Sequence, residues 1–159
     1  MRIVLCVACV LLIAGTAVTG YMLLNLDSRD IIDVDLNEQG AATVEFTSDG
    51  IKPGDTLEYV LAVDSELPGT CVLTLDFEEI KKGTLKDHLY VTVEVEGAVL
   101  CETLLSELLA SDEPLSTTIK VSKREAFEIK VRYALPLETG NEAKNASVDY
   151  LLNITLSNE

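Results

Sequence analysis

Apolar and polar side chains alternate along this chain in short runs, and the runs are cut repeatedly by Gly, Pro, Asn and Asp. "IIDVDL" (31–36), "AATVEFT" (41–47), "TLEYVLAV" (56–63), "CVLTLDF" (71–77) and "LYVTVEV" (89–95) all read this way, and "STTIKVS", "EAFEIKVRYAL" and "ASVDYLLNITL" continue the pattern. A period of two sends successive side chains to opposite faces of a strand, so each run has one face to bury. The breaks "NEQG", "SDGIKPGD" and "DSELPGT" disfavour helix and turn the backbone. "NEQG", lying between two alternating runs, predicts a hairpin.

One segment departs from this rhythm. "CETLLSELLASDE" (101–113) spaces Leu104, Leu105, Leu108 and Leu109 by three and four, which predicts a one-sided helix of about three turns. About eight or nine strands with turns at short intervals then predict an all-β fold, an antiparallel β-sandwich of jelly-roll or immunoglobulin-like type with one short inserted helix. No βαβ rhythm supports a parallel sheet.

A chain of 159 residues holds one such domain, assigned to residues 31–159. Residues 1–20 read as an export signal or membrane anchor, and residues 21–30 as a linker or exchangeable segment. After Arg2, no ionisable side chain other than Cys and Tyr occurs until Asp27. Gly15, Ala17 and Gly20 offer small residues for a signal peptidase between Ala17 and Tyr21. Left uncut, the run is long enough to cross a bilayer, for which about 20 residues suffice. Either way the domain is expected outside the cytoplasm, with membrane contact confined to the N-terminal segment. Cys6 and Cys9 fall in that segment. Cys71 and Cys101 remain for the domain, as a disulfide in an oxidising compartment or as two buried thiols.

Charge narrows the functions. Twelve Lys and Arg stand against 27 Asp and Glu, a formal net charge of −15, which repels nucleic acid and anionic headgroups. His88 is the only histidine, so HExxH zinc chemistry is excluded and any Ser or Cys triad would depend on this one ring. No catalytic or cofactor-binding residue is assigned. Asp33–Glu38 and Asp76–Glu79 offer oxygen ligands to a divalent cation but lack calcium-loop spacing. Alternation instead places Asp33 and Asp35 on a solvated face, opposite Ile32, Val34 and Leu36. Asn145 and Asn153 head N-x-Ser/Thr triplets. "ETGNEAK", with Gly140 and Asn141 tolerating left-handed backbone, reads as the connection before a final strand.

The ending "LPLETGNEAKNASVDYLLNITLSNE", through Pro136, Gly140, Asn141, Ala146, Val148 and Tyr150, resembles the C-terminal region of the TasA/camelysin family of exported bacterial proteins. "KPGD" at Lys52, Pro53, Gly54 and Asp55 is similar to that family's turn before its second core strand. The resemblance spans about residues 25–159 and implies a jelly-roll-like sandwich at the cell surface or in an extracellular matrix. It further implies a biofilm-fibre subunit or accessory that self-assembles or joins other matrix and surface proteins. Unpaired groups at a sandwich edge would let residues 21–36 add to a neighbour's sheet, or the same segment is the first strand of its own sheet. A camelysin-like metallopeptidase built on His88 with carboxylates, and a non-catalytic adhesin, are the alternatives.

Overall fold

The computed structural model describes residues 30–48, 51–122, 125–140, 143 and 146–158. Nine strands lie among them: β1 (Asp30–Asp35), β2 (Ala41–Ser48), β3 (Thr56–Asp64), β4 (Gly69–Lys81), β5 (Tyr90–Val95), β6 (Ala98–Leu104), β7 (Leu115–Val121), β8 (Phe127–Ala134) and β9 (Val148–Asn158). They form two sheets, one ordered β1-β3-β8-β5-β6 and the other β2-β9-β4-β7. The export segment, residues 21–29 of the linker, Asn141 and Asn145 lie outside the described residues.

The alternation read from the sequence is the alternation of burial. In β9, Val148, Tyr150, Leu152, Ile154 and Leu156 are buried while the residues between them are partly or fully exposed. In β8, Phe127, Ile129, Val131 and Tyr133 face inward. The inward residues of both sheets make one core cluster, into which Leu85, Leu89, Leu105 and Leu108 also pack. Across its middle Phe46 of β2 meets Tyr59 of β3 edge to face, with ring centroids 5.3 Å apart, so the two sheets touch through aromatic side chains.

Pairing in β2 to β9 is nested. β5 pairs with β6, β4 with β7, β3 with β8 and β2 with β9, every pair antiparallel. Laid out flat, the eight strands are one long ribbon doubled at the β5–β6 turn. That turn is tight because Glu96 (φ 48) and Gly97 (φ 80) both take left-handed backbone. The ribbon is then folded over so that its two halves contribute to both sheets.

Three expectations need correction. "NEQG" does not join a hairpin: β1 and β2 sit in different sheets, and β1 lies parallel to β3 in register from Asp30 opposite Tyr59 to Asp35 opposite Asp64. The local bonds are those of a turn, with Gly40 N donating to Asn37 O at 2.8 Å, but Val34 and Phe46 both face the core and do so from opposite sheets. The same pair overturns a purely antiparallel sandwich. The helix is also shorter than its leucine spacing implies. It covers Leu105–Leu109 only, because residues 101–104 extend the β5–β6 ladder as far as Tyr90 opposite Leu104. Leu105 and Leu108 face the core from this single turn and a half.

Candidate functional site

At one end of the five-stranded sheet, a shallow open groove of about 370 Å³ is lined by Asp87, His88, Tyr90, Leu104, Pro136, Glu138 and Thr139. Two short 3-10 turns wall it. The first, Leu85–Asp87, is pinned by Leu85 and Leu89, both fully buried, and by bonds from His88 N and Leu89 N to Leu85 O. Lys86 ties the same turn to the end of β4 through Glu79, with Nζ 2.7 Å from both carboxylate oxygens. Held on both sides, the turn presents Asp87 and His88 to the groove. The second wall, Leu137–Thr139, opens with Pro136 and closes at Gly140, whose φ of 63 a side chain would resist.

Tyr90 lies between the walls. It starts β5, opposite Leu104 on one side and Ala134 on the other, and alternation turns it away from the core that Leu89 and Val91 enter. It is 46% exposed, and Leu137 on the second turn is 75% exposed. An accessible aromatic ring beside Leu104 and Pro136, rimmed by the Asp87 and Glu138 carboxylates, suits a cation carried on an aliphatic stem, as on lysine or arginine. His88 and Thr139 also line the groove.

"KPGD" proves to be turn chemistry. The Asp55 carboxylate accepts from Lys52 N at 2.9 Å, and Asp55 N donates to Lys52 O at 2.9 Å. The turn is docked on the "LPL" stretch by Gly54 N to Leu135 O at 2.7 Å and Leu135 N to Asp55 O at 3.1 Å. The two motifs are therefore neighbours because they flank β3 and β8, which pair from Thr56 opposite Ala134. Such residues recur wherever a β-ribbon needs that turn.

Cys71 and Cys101 are free thiols, the first buried on β4 near Asn158, the second half-buried on β6 opposite Val93. Burial pushes the Cys101 thiol above its usual range. Asp33 and Asp35 are exposed, as their alternation requires. Asn153 stands in mid-strand, where its side-chain oxygen accepts from the Thr43 hydroxyl at 2.8 Å. Among the described residues no three His, Cys, Asp or Glu side chains cluster to hold a metal. Of the groove residues, the sequence reading singled out His88 for chemistry, Pro136 as part of a turn motif and Leu104 as part of a helix, and did not bring them together. The available signal was Tyr90 itself, an aromatic ring at an outward position of a strand whose alternate residues are all aliphatic.

No family model matches the chain, and no curated protein matches it. Solved structures do align. PliG from Aeromonas hydrophila, described as a periplasmic inhibitor of g-type lysozyme, has a TM-score of 0.40 at 11% identity over 82% of this chain and 100% of that one. PliG from Salmonella Typhimurium, of the same description, gives 0.38 at 10% identity over 82% and 100%. At this level of likeness their partner does not carry over. The resemblance to the TasA/camelysin family is nevertheless corrected: no family model or curated relative supports it, and the solved structures that align are not described as members of that family. The biofilm-fibre subunit, the surface metallopeptidase, the adhesin and the matrix location fall with it. What remains of the motifs is their role in the turns.

Proposed function

We propose that this chain is an exported, non-catalytic binding domain that takes a cationic protein partner at the groove around Tyr90. The observation that carries the reading is Tyr90, a half-exposed aromatic ring, lining one groove together with the Asp87 and Glu138 carboxylates. Aromatic anchors within a polar rim are the ordinary make-up of a protein-binding hot spot. The net charge of −15 supplies long-range attraction to a basic surface and speeds encounter. The apolar run in residues 1–20 supports export ahead of a domain whose first strand begins at Asp30.

We read the framework itself as a jelly roll with β1 appended in parallel at the β3 edge. The nested pairing of β2 to β9 across two four-stranded halves supports this.

The test is direct binding of residues 30–159 to a panel of cationic extracellular proteins, a g-type lysozyme among them, measured by calorimetry at two salt concentrations. Saturable binding that weakens with salt and is lost in Tyr90→Ala supports the proposal. Binding untouched by Tyr90→Ala places the partner elsewhere and ends it, as does failure of every cationic protein to bind.

A further inference from the structure

We propose that the interior of the sandwich is a binding site for one ordered water molecule, held between the hydroxyls of Tyr133 and Tyr150. Tyr133 on β8 and Tyr150 on β9 come from opposite sheets and point into the layer between them. Both side chains are fully buried, and neither hydroxyl has a protein hydrogen-bond partner. Their rings are 6.4 Å apart, inside a five-ring cluster with Phe46, Tyr59 and Phe77.

A phenolic hydroxyl sealed from solvent and left unpaired weakens folding by roughly tenfold, whereas phenylalanine would fill the same ring volume with no polar atom. Two such hydroxyls in one cluster make the site polar, and a buried water needs two or more polar partners. It can accept from one phenol and donate to the other. Tyr59 is the third phenol of the group. Its ring lies 5.6 Å from that of Tyr133. The inference is independent of what binds the outer groove.

A crystal structure of the protein at a resolution that shows ordered water tests the site directly, and urea unfolding of Tyr133→Phe, Tyr150→Phe and the double variant tests its energetics. The expected results are density within hydrogen-bond distance of both hydroxyls and a loss of ~3- to 10-fold in the folding constant for each single variant. The double variant should lose less than the product of the two, because either change releases the same water. Absence of that density, density reaching only one hydroxyl, or single variants as stable as the parent would each overturn the proposal.

Discussion

Arg132 closes on Glu58 across the β3–β8 ladder, its Nε and Nη2 donating to the same carboxylate oxygen at 3.0 and 2.8 Å. The residues are direct partners in register, on the outward face of the sheet. The hydrogen bond to Glu58, and its charge second, raise the pKa of the guanidinium. Arg132 is 47% exposed, and solvent screens the attraction. Arg132→Ala should cost no more than about 1 kcal/mol in urea unfolding, and the cost should shrink in 1 M salt, where the screening length is about 3 Å.

Two glycines with similar backbone should respond differently to a methyl group. Gly97, with φ 80, has nothing within 4 Å of an added Cβ, so Gly97→Ala bears only the left-handed penalty of about 1–2 kcal/mol. Gly40, with φ 73, would place its Cβ 2.4 Å from the Leu156 carbonyl oxygen. Its own carbonyl accepts from Leu156 N at 2.7 Å, so it cannot retreat without breaking that bond. Gly40→Ala should lose clearly more stability than Gly97→Ala in the same denaturation series; equal losses would count against the close approach of this turn to β9.

Tyr150 sets an alkaline limit. Burial first, and the Tyr59 charge second, hold its pKa well above the usual 10.0. In the unfolded chain the phenol ionises near that ordinary value while the folded chain keeps its proton. Stability from this group is therefore intact below pH 10 and falls as pH rises beyond it, by about 1.4 kcal/mol per unit until the folded pKa is reached. Tyr150→Phe should flatten the decline measured by denaturation between neutral pH and pH 11 by one proton's worth.

At the groove, recognition and stability should separate. Tyr90→Ala removes a side chain on an outward face and should change stability by about 0.5 kcal/mol or less. The same change should weaken partner binding at least tenfold, about the 1.4 kcal/mol expected of an aromatic anchor. Glu138→Lys should act chiefly on the association rate, with an effect that fades in high salt. Stopped-flow or surface-binding kinetics would resolve the two.

The thiols give a readout of the core. Cys71 is wholly buried and Cys101 half-buried, with burial disfavouring its thiolate. A thiol reagent at neutral pH should label Cys101 slowly and Cys71 only as the domain unfolds, with mass spectrometry locating each adduct.

Much of the fold was legible because a strand's period depends only on neighbouring residues. Every run singled out by alternation contains or overlaps a strand, and Leu73, Val91, Ile129 and Leu152 are inside where parity puts them. What local pattern does not contain is the partner. Val34 alternates equally well whether β1 pairs with β2 or lies parallel to β3; the choice is made by which sheet covers it. The leucines 104–109 carry helical spacing, yet the first of them belongs to β6 because a ladder with β5 satisfies its backbone. The groove was hidden for a similar reason. Asp87, Tyr90 and Glu138 are adjacent only after β5 and β8 have paired, and no spacing in the chain announces it.

The nested ribbon also dictates an order of events in time. Thr43 and Asn153, bonded to one another across β2 and β9, are separated by 110 positions, and the loop closed by their meeting is affordable in entropy only after the inner pairs have shortened it. Loop entropy therefore favours zippering from the β5–β6 turn outward. β2 emerges early from synthesis but has no sheet neighbour until β9 arrives, so the sheet that holds both closes only when nearly all of the chain has been made.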